Sequence, residues 1–302
     1  MEEQGLLAEL APHAASLLER HLASAKEWFP HKLVPWGRGR DFTDDDEHDE
    51  APPILDDAAR SALFVNLLTE DNLPHYFRTI AGRFGTDDAW GVWVRRWTAE
   101  EGRHAIVLRD YLSVTRAVDL VALERARMSQ VATGVVPEPP SVADALVYVS
   151  LQELATRISH HNTGRLLPDD AGRGIMKRVA ADENLHHLFY RDLTAAALAI
   201  DPESVVPAIE RQVRHFAMPG TGIPDFARHA RTIAAAGVYD FQVHHDQILV
   251  PVLFRHWRLD RVQGLRSSAE RARERLLAHV ERVGRLARRL VERRIPNVAT
   301  YT

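Results

Sequence analysis

Cysteine is absent from the 302 residues. Disulfides, thiolate zinc sites and cysteine-ligated iron–sulfur clusters are excluded with it. Any metal must be held by Asp, Glu or His, and any iron–sulfur electron donor must be a separate protein. Lysine is scarce, present at Lys26, Lys32 and Lys177 alone, so arginine carries the basic charge. An excess of one charge sign is also lacking: the formal net charge is -4, which gives no electrostatic reason to expect nucleic acid. Apolar runs of about 18 residues are missing, so no segment is expected to span a membrane. Residues 1–25 are acidic and then amphipathic, without the basic and apolar regions of a secretory signal. A cytoplasmic protein is the expectation.

What is present is helical periodicity. Hydrophobic residues make up 45% of the chain, enough for a sizeable core. They recur at three- and four-residue steps almost everywhere, and no convincing two-residue alternation interrupts them. The pattern predicts helices over 5–27, 56–84, 87–116, 119–132, 141–166, 169–199, 202–216, 224–237, 239–256 and 267–294. Acidic residues 38–53, ending in Pro-Pro, read as an exposed loop. Residues 134–141 read as a break, with Ser141 as N-cap. No long flexible linker appears, so residues 1–302 are expected to form a single domain. Helices 56–84 with 87–116, and 141–166 with 169–199, have short connections and should form two hairpins. The expected architecture is all-α, a four-helix bundle with additional packed helices.

Charges occupy positions on these helices where a core residue should sit. Glu70 follows Leu63 and Leu67 on an apolar stripe that continues to Leu73 and Phe77. Glu101 and His104 lie on the stripe of Val94, Trp97 and Leu108. Glu153 lies with Leu146, Val149 and Thr156. Glu183 and His186 lie with Met176, Val179 and Tyr190. An isolated buried carboxylate costs several kcal/mol or takes up a proton, and a cation shared by four carboxylates removes that problem. Glu70 precedes Glu101 by 31 residues and Glu153 precedes Glu183 by 30. Each half therefore reads lone Glu, helix, turn, helix, then Glu-x-x-His, a duplicated half-site. In Glu-x-x-His both side chains share one helix face and can reach one metal. Carboxylate-rich sites with one imidazole per metal suit iron or manganese, and the whole is the ferritin-like di-metal pattern. The expected ligands are Glu70, Glu101, His104, Glu153, Glu183 and His186. One division makes Glu70 and Glu183 terminal and Glu101 and Glu153 bridging.

Residues 69–76 (TEDNLPHY), 97–104 (WTAEEGRH), 151–165 (LQELATRISHHNTGR) and 180–187 (AADENLHH) resemble the four metal-helix motifs of the soluble acyl-[acyl-carrier-protein] desaturase family, whose best-known members are the plant stearoyl enzymes. Residues 29–42 (FPHKLVPWGRGRDF) and 237–265 resemble the stretches before and after the bundle, so the likeness covers about residues 15–294. The resemblance implies a ferritin-like enzyme with two iron ions that inserts a cis double bond into a saturated acyl chain carried on acyl carrier protein. It further implies use of dioxygen, two electrons from a ferredoxin-type donor, and a homodimer. It carries the six ligands over to the residues named above. It assigns Thr156 to the oxygen-binding side, and Trp36, Asp182 and His104 to a chain conducting electrons inward. Asp182 is also well placed by sequence to support a ligating His. Gly102 departs from the family's Asn without touching a ligand. Thr79 and Arg83 stand where plant members carry apolar residues lining the acyl cavity, so Arg83 is expected to shorten or reshape it.

Other features read more plainly. Adjacent helical residues point about 100° apart, so His160-His161 and His244-His245 are expected to be packing or surface residues. The Arg-rich amphipathic stretch 271–294 reads as a packing helix, and its Arg288 and Arg289 as a possible docking surface for an acidic carrier protein. The alternatives are another di-metal oxidase on the same bundle, for which Tyr190 one turn beyond His186 is the motivating residue, and a non-catalytic iron-binding relative.

Overall fold

The structure, a computed structural model, describes residues 3–43, 55–133, 136, 138–220 and 222–294. Among these residues there are helices and no strands. They are α1 (Glu3–Ser24), α2 (Pro30–Leu33), α3 (Asp57–Glu70), α4 (Leu73–Phe84), α5 (Asp88–Thr115), α6 (Leu120–Thr133), α7 (Val142–Leu166), α8 (Asp170–Ile200), α9 (Pro202–Arg214), α10 (Phe226–Ala235), α11 (Phe241–Val243) and α12 (Ser267–Arg294). None is long and apolar enough to cross a membrane. Residues 44–53 of the expected acidic loop, and 134, 135 and 137 of the expected break, lie outside the described residues.

Local chemistry sets the helix starts. The Asp56 side chain accepts from Ala59 N–H at 2.7 Å, Ser141 from Asp144 N–H at 3.1 Å and Asp169 from Gly172 N–H at 3.0 Å. Each satisfies an N–H that has no partner within its helix. Helices α7 and α8 are joined by three residues and pack along their length. Gly164 permits the approach: a Cβ there would sit 2.9 Å from the Met176 Cβ. The bundle is α3, α5, α7 and α8, with α1, α4, α9, α10 and α12 packed around it.

Two expectations need correction. The stretch 56–84 is not one helix. It breaks at Asp71 and Asn72, because Pro74 lacks the N–H that would bond to the Glu70 carbonyl and its ring would crowd that carbonyl in a continuous helix. The stripe ends there, and Phe77 is exposed rather than core. The stretch 239–256 is also not a plain α-helix. After α11 it widens into π-helical turns from His244 to His256, with Trp257 N–H bonded to Val252 O at 2.9 Å. Pro251 lies within this stretch, where an α-helical turn would set its ring against a carbonyl.

The core is in two parts. One contains the first half of α5 and the second half of α8, with α1, α7, α9 and α12. The other contains the second half of α5 and the first half of α8, with α3, α6 and α10. Along α5 and α8 the boundary between them falls at residues 100–104 and 182–187, where the buried side chains are ionisable. The acidic layer is therefore walled by apolar packing on both sides.

Candidate metal centre

All six expected ligands turn inward: Glu70, Glu101, His104, Glu153, Glu183 and His186 are each at most 7% exposed. They form two overlapping groups. In one, ligand atoms of Glu70, Glu101, His104 and Glu183 lie within 4.8 Å of one another. In the other, those of Glu101, Glu153, Glu183 and His186 do so. The Nδ1 of His104 is 3.6 Å from Glu70 Oε2, 3.4 Å from Glu101 Oε2 and 3.4 Å from Glu183 Oε1. The Nδ1 of His186 is 2.8 Å from Glu101 Oε1 and 3.6 Å from Glu153 Oε2. Glu101 and Glu183 belong to both groups. The expected division made Glu101 and Glu153 the common pair; the residues that lie in both groups are the two Glu-x-x-His glutamates, while Glu70 and Glu153 each lie in one. The physical reason is position, since α5 and α8 meet at their Glu-x-x-His turns.

The electrostatics call for a cation. Burial and the neighbouring Glu183 charge push the Glu153 carboxyl well above the usual range. Burial opposes charge on His104 and His186 too, yet the surrounding carboxylates raise both imidazoles well above their ordinary value. His104 Nδ1, His186 Nδ1, Glu101 Oε1 and Glu153 Oε2 are buried without an aligned hydrogen bond, the 2.8 Å approach of His186 Nδ1 to Glu101 Oε1 included. Leaving four such atoms unmade costs several kcal/mol. A pair of divalent ions between the groups would engage all four. The residues thus fit a di-metal centre, and their oxygen-rich, thiolate-free character suits iron or manganese.

A second ring of residues orients the first. The Nε2 of His104 faces Asp182 Oδ2 at 3.5 Å, and the Nε2 of His186 donates to Glu100 Oε2 at 3.0 Å. Each histidine is thus faced by the acid that precedes the other helix's shared glutamate. Arg178 pairs with Asp182, and Arg96 pairs with Glu100 at 2.6 Å, each from four residues earlier. Burial opposes ionisation of Asp182, but His104, Trp28 and Arg178 hold its carboxyl down at about 2. The duplication therefore reads Arg, three residues, acid, Glu, two residues, His: Arg96, Glu100, Glu101, His104 and Arg178, Asp182, Glu183, His186. This longer signal was available in the sequence and would have found Glu100.

Trp36 does not join this ring. It is 50% exposed and its Nε1 donates to His31 O at 2.8 Å. Trp28 instead donates from Nε1 to Asp182 Oδ2 at 2.7 Å. Of the expected packing or surface residues His160 and His161, His160 packs against the cluster. Its Nε2 is 2.9 Å from Glu70 Oε1, and the ring is buried, whereas His161 is exposed as expected. Residues 71–72 end α3, and α7 presents His160 to Glu70 one turn past Thr156. Thr156 Oγ1 donates to Glu183 Oε2 at 2.8 Å and lies near the Gln152 and Glu153 carbonyls as well. Trp97 Nε1 donates to Glu153 Oε1 at 3.0 Å. Tyr190 is fully buried, and its hydroxyl accepts from Trp93 Nε1 at 2.9 Å.

A cavity of about 90 Å³ adjoins the cluster, lined by Glu70, Thr156 and His160, and by Phe226, Ile233 and Tyr239. Its lining is mostly apolar, and it touches the cluster on the Glu70 side. Arg83 is not among its lining residues. The guanidinium lies 3.6 Å from Glu3 of α1.

Comparison with known proteins agrees with this geometry. A family model described as fatty acid desaturase matches residues 2–301. The chain is 46% identical over 264 residues to the Mycobacterium tuberculosis protein named acyl-[acyl-carrier-protein] desaturase DesA1, covering 84% of this chain and 78% of that one. It is 33% identical over 286 residues to the Arabidopsis thaliana chloroplastic stearoyl-[acyl-carrier-protein] 9-desaturase 6, covering 88% and 72%. Among solved structures, the X-ray structure of the acyl-ACP desaturase DesA2 from Mycobacterium tuberculosis superposes with a TM-score of 0.69 at 26% identity, covering 89% of this chain and 99% of that one. A ferritin-like helical bundle with two Glu-x-x-His turns at its centre, matched over nearly its whole length, places the chain in the fatty acid desaturase family.

Proposed function

We propose that this chain is a di-iron acyl-[acyl-carrier-protein] desaturase that inserts a cis double bond into a saturated acyl chain. The observation that carries the reading is the pair of overlapping ligand groups with Glu101 and Glu183 in common, beside a mostly apolar cavity. Glu70 and His104 would hold one iron, Glu153 and His186 the other, with Glu101 and Glu183 shared. When bound, the iron pair supplies dioxygen activation and removal of hydrogen from an unactivated methylene.

The electron balance fixes the co-reactants. Reducing dioxygen to two waters takes four electrons. Two come from the carbon–hydrogen bonds broken in making the double bond, and two come from an external donor. The chain has no cysteine to hold an iron–sulfur cluster, which supports a separate ferredoxin-type partner. Trp28, Asp182 and His104 form the connected polar path from the N-terminal segment to the cluster.

The chain's own residues do the rest. Phe226, Ile233 and Tyr239 give the cavity a lining that would hold the acyl segment and keep out water. The Thr156 hydroxyl, at the boundary between cavity and cluster, donates a hydrogen bond to Glu183 Oε2 and fixes that carboxylate. His160 fixes Glu70 from the same side. Residues 1–302 are taken as one domain, working in the cytoplasm as a homodimer.

The test is incubation of iron-loaded protein with ferredoxin, its reductase, dioxygen and a panel of saturated acyl-carrier proteins, followed by mass spectrometry of the released fatty acids. A product two mass units lighter than one substrate is expected. Loss of reducing equivalents without any such product would overturn the reading and favour another oxidase chemistry.

A further inference from the structure

Helix α1 stands outside the four bundle helices, yet it sends one ionisable side chain into the core. Its buried stripe runs Leu6, Leu10, Ala14, Leu18 and then His21. The last position would ordinarily take another aliphatic residue, since a buried imidazole costs stability unless it is hydrogen-bonded. His21 is 4% exposed, and its Nε2 lies 2.9 Å from Glu100 Oε2. That same oxygen is 3.0 Å from His186 Nε2. The other oxygen, Oε1, is covered by Arg96 at 2.6 Å and Arg103 at 3.7 Å. A carboxylate flanked by two guanidinium groups is ionised and can only accept. Both imidazoles must therefore present an Nε2–H to it, so that Nδ1 is the nitrogen His186 turns to the carboxylate cluster, 2.8 Å from Glu101 Oε1.

Packing fixes the arrangement further. The His21 and His186 rings stack with centroids 5.8 Å apart and planes 22° from parallel, and the Trp93 ring stands edge-on to both. On the opposite side Trp28 donates to Asp182, which faces His104. The segment before the bundle thus supplies one donor to each acid: an imidazole for Glu100 and an indole for Asp182. We propose that His21 is a positioning residue for the His186 side of the metal centre, acting through Glu100, so that the two metals depend on different residues of the N-terminal segment. The inference rests on the di-metal reading given above.

The three atoms His21 Nε2, Glu100 Oε2 and His186 Nε2 are also close enough to surround a cation. Arg96 and Arg103 already neutralise that carboxylate, and a further positive ion beside them would be repelled. The geometry favours hydrogen bonding over a third metal.

The test is anaerobic calorimetric titration of the metal-free full chain with Mn(II), for the unaltered protein, His21→Leu and His21→Gln, with far-ultraviolet circular dichroism on each. The unaltered chain is expected to bind two ions. His21→Leu should bind one ion as before and the other 10- to 100-fold more weakly. His21→Gln, whose side-chain N–H can still donate to Glu100, should recover most of that loss. Glu100→Gln should weaken the same single ion, and it decides the matter should His21→Leu fail to fold. Two ions of unchanged affinity in these variants, or a third ion in the unaltered chain that His21→Leu loses, would overturn the proposal. Fewer than two ions in the unaltered chain would instead overturn the di-metal reading itself.

Discussion

Trp28 donates its indole N–H to Asp182 Oδ2 at 2.7 Å, while its ring stacks against His104 with centroids 6.4 Å apart. Two guanidinium groups, those of Arg103 and Arg178, lie over the indole face. One aromatic residue thus touches the acid, His104 behind it and the counter-charges of that acid. Trp28→Phe keeps the packing and removes a donor to a buried carboxylate, worth about 1.5–3 kcal/mol. Turnover with the reduced donor should fall at least tenfold. Trp36→Phe, at an exposed position bonded to His31 O, should leave turnover within twofold. Steady-state rates of oxygen consumption with substrate distinguish the two.

Sharing of Glu101 and Glu183 between the two ligand groups gives a prediction about stoichiometry. Glu101→Ala should lose both metals, because each ion loses a ligand and the remaining charges are no longer balanced. Glu70→Ala should lose the ion on the His104 side and retain part of the other. Metal content of the purified variants by mass spectrometry, expressed per chain, checks this. Equal loss in both variants would count against the division of roles.

The cavity and Arg83 make opposite predictions. Ile233 lines the cavity beside the cluster, so Ile233→Phe should narrow it and shift product toward shorter acyl chains. Arg83 pairs with Glu3 at 3.6 Å, so Arg83→Ala should leave chain-length preference unchanged. A panel of acyl-carrier proteins of graded length, read as relative rates, tests both.

Stability should depend on acid through Asp144. This residue is fully buried at the start of α7, and Arg211 and Gln212 of α9 donate to it at 2.7–3.0 Å. Burial alone would raise its carboxyl, but the Arg211, Ser141 and Gln212 hydrogen bonds outweigh that and hold it below the ordinary value of 3.8. A lowered folded-state value means the contribution is present above about pH 4 and is lost as pH falls through the folded value. Asp144→Asn should cost about 1–2 kcal/mol at pH 7, since Arg211 is partly exposed and screened. The difference between variant and parent should be smaller at a pH below 3.8 than at pH 7. Urea unfolding at the two pH values measures it.

The buried acidic cluster was legible in the sequence because it violates the hydrophobic pattern: a charge on an apolar stripe is conspicuous at Glu70, Glu101, Glu153 and Glu183. Spacing within one helix also showed that each Glu-x-x-His could serve one ion. What spacing within a helix cannot show is how helices rotate against each other. That rotation decides that Glu101 and Glu183 are shared and that Thr156 meets Glu183. The helix break after Glu70 was present in the sequence as Pro74. His160 and Glu100 were hidden by their neighbours, His161 and Glu101, because an adjacent pair leaves open which member faces inward. Trp28 and Trp36 lie eight residues apart on a segment of short helical turns, where no periodicity tells which indole is buried.

The most direct measurement is the crystal structure of the chain soaked with Mn(II) or Fe(II), with anomalous scattering collected at the metal edge. Two peaks per chain are expected, one among Glu70, Glu101, His104 and Glu183, the other among Glu101, Glu153, Glu183 and His186. No peak within that layer, or a single peak at His21, Glu100 and His186, would contradict the account.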